Sequence, residues 1–221
     1  MKKNLTEIVF ILDCSGSMIG LEADTIGGYN SMIKKQKRES GEALISTVVF
    51  DNVSEVIHDR VPIDNMQNLT DKDYYVRGCT ALLDAVGGAI HHIGNVHKYA
   101  RDEDRPERTL FIITTDGMEN ASRRYSYSDV KKMIERQKEK YGWEFLFLGA
   151  NIDSAAEGAQ IGIDRDFTVD YCNDSVGTRT NFDAMSQVIS YARTCSAPMS
   201  SEWKKDIDED RKKRKKRFTR K

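Results

Sequence analysis

"IVFILDCSGSM", residues 8–18, is an apolar run that stops on an aspartate and breaks into small polar residues. Asp13, Ser15 and Ser17 fall at i, i+2 and i+4, with Gly16 between the two serines. The run is rich in Ile, Val and Phe and does not alternate with polar residues. That is the pattern of a parallel strand covered on both faces.

Further runs of this kind follow: "ALISTVVF" at 43–50, "TLFIITT" at 109–115 and "WEFLFLGA" at 143–150. "DFTVDY" at 166–171 reads as a last, shorter strand. "SEVIHDRVPI" at 54–63 alternates more clearly and follows the turn signal "FDN", so it reads as a hairpin partner at the sheet edge. Helical spacing fills the gaps. Residues 21–40 place Leu21, Ile26, Tyr29, Met32 and Ile33 on one face. Residues 80–99 repeat Leu82, Leu83, Val86, Ile90, Ile93 and Val96. Residues 128–140 open on a capping serine, residues 153–161 are short and Ala-rich, and residues 175–195 carry Phe182, Met185, Val188 and Ile189. Strands alternating with helices predict an α/β fold with a mostly parallel, doubly wound sheet.

The chain has 221 residues, 39% hydrophobic and 31% charged, which suits one α/β domain and its core. No linker composition precedes about residue 196. The division expected is therefore a domain over 1–196 and a charged, basic, flexible C-terminal tail over 197–221. Residues 202–221 hold eleven Lys or Arg against five Asp or Glu, whereas the rest of the chain holds 23 against 30. No apolar run approaches the ~20 residues of a membrane span, and Asp13 ends the first one without a cleavage site, so a cytoplasmic location is expected. Cys14, Cys79, Cys172 and Cys195 have no C-x-x-C spacing and read as free thiols. The four histidines form no zinc-binding spacing.

In doubly wound sheets, sites form where loops converge at the carboxyl ends of strands. Three segments bring hard oxygens there: "DCSGS" after the first strand, "GCTALLDA", where Thr80 opens a helix, and "TTDGMEN", where Asp116 follows the run 109–115. Two carboxylates and three hydroxyls form the donor set that Mg2+ prefers. Asp84, one helical turn beyond Thr80, either orients groups around such an ion or favours the helix dipole. Asn120 and Asn151 read as turn formers. Cys14 and Cys79 flank the candidate loops. Each is either a small packing residue or a thiol near an ion.

Asp13-x-Ser15-x-Ser17, then Thr80, then Asp116-Gly117, resembles the metal-ion-dependent adhesion site (MIDAS) of the von Willebrand factor type A (VWA) domain family, more narrowly its stand-alone bacterial type. Element order and loop positions extend the resemblance over about residues 1–195. It implies a Rossmann-like, six-stranded sheet with one short antiparallel edge strand and helices on both faces. It also implies a divalent ion, Mg2+ or Mn2+, whose free position accepts an Asp or Glu carboxylate from a partner protein. In that pattern Ser15 and Ser17 bind the ion directly, and Thr80, Asp13 and Asp116 bind it directly or through water.

Two other functions stand beside this one. A Mg2+-dependent phosphohydrolase of the haloacid dehalogenase type also places an Asp after its first strand. It requires a second Asp two residues on, where this chain has Ser15, and no phosphate loop or nucleophile elbow appears. A non-enzymatic protein is therefore expected. The run "RKKRKKRFTRK" at 211–221, nine of eleven residues basic, would suit a nucleic acid or an anionic surface.

Overall fold

The computed structural model describes residues 1–195 and 200–218. Six strands form one sheet: β1 (Lys2–Asp13), β2 (Glu42–Phe50), β3 (Ser54–Pro62), β4 (Pro106–Thr115), β5 (Glu144–Ala150) and β6 (Thr168–Tyr171). Six helices accompany them: α1 (Glu22–Gln36), α2 (Leu82–Tyr99), α3 (Tyr127–Tyr141), α4 (Ser154–Gln160), α5 (Ser175–Thr194) and α6 (Lys205–Phe218). The spatial order is β3-β2-β1-β4-β5-β6. Only the β2–β3 pair is antiparallel. The doubly wound, mostly parallel sheet is as expected. The antiparallel edge strand spans nine residues, however, and the short strand is β6, with four.

Period-two alternation along β1 sends its side chains into two cores. Ile8, Phe10 and Leu12 pack with Tyr29, Met32 and Ile33 of α1 and Met185 and Ile189 of α5. Val9 and Ile11 pack with Leu83, Val86 and Ile90 of α2 and Val130 and Ile134 of α3. Both faces are buried, which is why the strand reads as a continuous apolar run.

Helix α3 starts earlier than its sequence suggests. Ser126, not Ser128, caps it, because Asp129 then falls three residues on and closes a reciprocal capping box. Helix α1 stops at Gln36, short of residue 40, since the charged run beyond it has nothing apolar to bury.

Residues 200–214 belong to the segment read as a charged tail, and the structure draws them against β6. Trp203 Nε1 donates to the Asp166 carbonyl at 2.9 Å. Lys204 Nζ donates to the carbonyls of Arg165 and Thr168, at 2.6 and 3.0 Å. Ile207 of α6 is only 2% exposed. Arg211 pairs with Asp170, and Arg214 pairs with Asp174. These contacts cover the edge of the sheet at β6, which would otherwise present an unpaired ladder. Residues 196–199 and 219–221 lie outside the described residues. No helix among the described residues is long and apolar enough to cross a membrane.

Candidate metal centre

The chain begins in the middle of the sheet and leaves β1 in both directions, so β1 and β4 are neighbours with Leu12 opposite Thr114. Their carboxyl ends flank the crevice at the switch in strand order. Asp13 ends β1, and Asp116 follows β4 directly.

The segment that carries Thr80 is pinned over this crevice by long-range hydrogen bonds. Gly16 N–H donates to Gly78 O at 3.1 Å, Arg77 N–H to Cys14 O at 2.8 Å, and Ala81 N–H to Asp51 O at 2.8 Å. Asn52 Oδ1 accepts from Cys79 N–H at 2.7 Å. The Tyr74 hydroxyl, fully inside the protein, donates to Asp13 O at 2.5 Å. Thr80 is thereby held above the end of β1.

All five candidate residues come together. Thr80 Oγ1 donates to Ser15 Oγ at 3.1 Å, Ser15 Oγ and Ser17 Oγ are 3.0 Å apart, and Ser17 Oγ donates to Asp116 Oδ1. Asp13 closes the floor: Oδ1 accepts from Ser15 N–H at 2.7 Å and Oδ2 from the Thr115 hydroxyl at 2.6 Å. Gly117 is required beside them. A Cβ there would stand 2.9 Å from Thr80 Oγ1 and 3.3 Å from Ser17 Oγ.

Among the described residues no three His, Cys, Asp or Glu side chains form a metal-binding group. The candidate centre therefore depends on its hydroxyls. Two carboxylates and three hydroxyls, all hard oxygens gathered at one point, fit a small divalent cation.

Electrostatics favour a cation here. Burial raises the Asp13 carboxyl above its usual range, against hydrogen bonds from Thr115 and Ser15. Burial likewise pushes Asp116 up to about 6, with the neighbouring Asp13 charge adding to it and the Ser17 and Asn173 side chains opposing it. A cation between them would relieve both effects.

The Asp116 shift gives a signed prediction for metal-free protein. A raised carboxyl contributes stability below its unfolded value near 3.8 and loses it as pH rises through about 6. Asp116→Asn cannot ionise. In EDTA, its stability relative to wild type should grow from about pH 4 to about pH 6 and level off above that. Denaturant titrations across that window check this; a difference that stays constant or shrinks would mean Asp116 is not crowded by burial.

Several supporting residues escaped the sequence reading. Asn120, a turn former by sequence, also holds Thr80. Its Oδ1 accepts from Thr80 N–H at 2.9 Å, while its own N–H donates to Thr80 O at 3.0 Å. Asn173, after β6, donates Nδ2–H to Asp116 Oδ2 at 3.0 Å. Asp84 takes a third role beyond the two considered. Its carboxylate accepts the N–H groups of Arg123, Arg124 and Tyr125 at 2.8–3.0 Å and so organises the loop after β4. Asn151 has φ +56°, as a turn former does. Cys14 is buried with Sγ on Phe50 O at 3.2 Å, and burial pushes its thiol up to about 12. It is the packing residue, not a thiolate near an ion. Cys79 is exposed.

No family model matches this chain, and no curated protein matches it. Solved structures do. The vWF domain of the type V pili tip protein Mfa5 from Porphyromonas gingivalis is 11% identical, covers 88% of this chain and 98% of that one, and has a TM-score of 0.63. Proximal thread matrix protein 1 from the mussel byssus is 14% identical over 84% of this chain and 46% of that one, with a TM-score of 0.61. A second structure of the mussel protein, 13% identical with a TM-score of 0.56, has a zinc-occupied MIDAS motif. A von Willebrand factor type A structure from Catenulispora acidiphila is 17% identical over 82% of this chain and 41% of that one, with a TM-score of 0.55. The chain thus spans less than half the length of the mussel and Catenulispora proteins. Identities this low speak to architecture alone, and the strand order, the antiparallel edge and the helices on both faces agree with it: the chain has the von Willebrand factor type A fold.

Proposed function

We propose that the chain is a divalent-metal-dependent protein-binding module without catalytic activity. The observation that carries this reading is the joining of Thr80, Ser15, Ser17 and Asp116 by one chain of hydroxyl hydrogen bonds above Asp13, at the switch in strand order. Asp13, Ser15, Ser17, Thr80 and Asp116 would hold Mg2+ or Mn2+. Five side chains, some acting through water, leave an octahedral ion short of ligands. The bound ion would supply a Lewis-acidic position for an Asp or Glu of a partner protein. Three neutral hydroxyls leave its charge less compensated than carboxylates would, which favours an incoming anion. The residue two positions after Asp13 is Ser15, so the second aspartate of a phosphohydrolase is missing from this loop.

Affinity capture from extract tests the reading. A partner should be retained with Mg2+, released by EDTA, and absent from the Asp13→Ala protein. Replacing one Asp or Glu in that partner should cost as much as adding EDTA. A partner retained equally in EDTA would overturn the proposal.

A further inference from the structure

Helix α6 runs alongside β6 in the same direction. Lys204, just before it, is anchored on Thr168 at the start of β6. Arg211 pairs with Asp170 within the strand, and Arg214 with Asp174 beyond its end. The helix therefore points toward the carboxyl edge of the sheet, the edge that carries Asp13 and Asp116. Asn173, next to Asp174, donates to Asp116 Oδ2. The Arg214 contact is thus one residue removed from the candidate metal centre. Beyond Arg214 the helix continues to Phe218, roughly another 6 Å of rise.

The charge along this helix is uneven. Its first turns hold Asp206, Asp208, Glu209 and Asp210, and these serve locally: Asp210 accepts from Arg214 Nε at 2.8 Å, and Glu209 lies 3.5 Å from Lys213 Nζ. No Asp or Glu follows Asp210, while nine of the last eleven residues are Lys or Arg. The sequence of the run offers no acid to cancel it.

We propose that the polybasic end of α6 and the candidate metal centre form one receptor for an acidic segment of a partner protein. One carboxylate of the segment takes the ion, and its further Asp or Glu residues meet the end of α6. The inference rests on the proposed metal-dependent binding and names the chemistry of its partner. A Lys–carboxylate pair in solvent is weak alone. Tethered to a metal contact on the same segment, it forms at high effective concentration. An acidic segment fits better than a nucleic acid. A duplex is a stiff axis carrying a charge every ~1.7 Å, whereas the proposed ion takes a carboxylate, which a flexible acidic segment supplies and a nucleic acid does not.

Fluorescence anisotropy on the full chain tests this with a labelled oligoglutamate peptide and a short duplex DNA. The variant carries Lys212→Gln, Lys215→Gln, Lys216→Gln and Arg217→Gln; unchanged Mn2+ binding shows that it is folded. With Mg2+, the peptide should bind wild type, bind the variant roughly tenfold more weakly, and be lost from the variant in EDTA. Added salt should weaken binding to wild type more than to the variant. A variant that keeps wild-type affinity, with EDTA still releasing the peptide, overturns the joint receptor and leaves the metal reading standing. Binding unaffected by EDTA but lost in the variant overturns both. Duplex DNA binding more tightly than the peptide, with or without Mg2+, overturns the proposal in favour of a nucleic-acid contact.

Discussion

Replacing Asp13 with alanine should abolish Mn2+ binding and leave the fold in place. Asp13 is 1% exposed, and its two oxygens serve the Ser15 N–H and the Thr115 hydroxyl. In metal-free protein two effects of the substitution oppose each other. It strands the buried Ser15 N–H, at roughly 1–3 kcal/mol, while the Thr115 hydroxyl keeps the Gly117 carbonyl at 3.0 Å. It also removes a carboxyl that burial disfavours and that faces Asp116. The metal-free variant should therefore melt within a few degrees of wild type. Metal affinity has no such compensation, because the centre loses one of its two anionic donors. A fall on the order of a hundredfold or more is expected, at or beyond the upper end of what removing a merely supporting partner costs. Calorimetric titration with Mn2+ checks the affinity, and thermal melts with and without Mn2+ check the linkage: added metal should raise the midpoint of wild type alone. Equal Mn2+ affinity in the two proteins would remove Asp13 from the centre.

The largest effect on stability is expected from Gly177→Ala. A Cβ at Gly177 would stand 1.9 Å from the carbonyl oxygen of Cys172. That oxygen belongs to the backbone and cannot rotate aside as a side chain does. Gly177 also donates its N–H to Asp174 Oδ1 at 2.9 Å, the cap of α5. Either α5 or the segment 172–174 must shift, and the cost should reach about 3 kcal/mol or more. Asn173 lies within the displaced segment, so Mn2+ affinity should fall with stability. Gly27 of α1 and Gly88 of α2 make a control of opposite sign. Nothing lies within 4 Å of a Cβ at either position, so alanine there should stabilise by roughly 0.5–1 kcal/mol. Urea denaturation of the three variants separates these cases. A Gly177→Ala protein as stable as wild type would contradict the packing of β6 against the start of α5.

The features legible along the chain are local in origin. A strand buried on both faces must be apolar throughout, so β1, β2, β4 and β5 announce themselves as continuous runs ending in polar turns. Helices that cover them must repeat every three to four residues. Asp13, Ser15 and Ser17 are visible as donors because they sit two residues apart on one loop, and Thr80 and Asp116 because each follows a turn at an element boundary. A cap is less legible. The start of α3, expected at Ser128, lies at Ser126, where the reciprocal bond with Asp129 forms.

Which distant groups meet follows from the folded arrangement. Periodicity does not reveal that β1 lies between β2 and β4, yet that order alone sets Asp13 beside Asp116. The supports of the candidate centre span long separations: Thr115 to Asp13, Asn120 to Thr80, Asn173 to Asp116. The same holds for the buried Glu7 carboxylate, which takes Arg60 and His97, each at 2.6 Å. It holds again for α6, whose composition reads as a solvated tail until Ile207 and Arg211 find their places against β6. The physical reason is common to all of them. A hydrophobic face is a property of many residues at a fixed spacing, so it is written along the chain. A hydrogen bond or ion pair needs one partner at one place, and in a doubly wound sheet that place is set by the order in which the strands assemble.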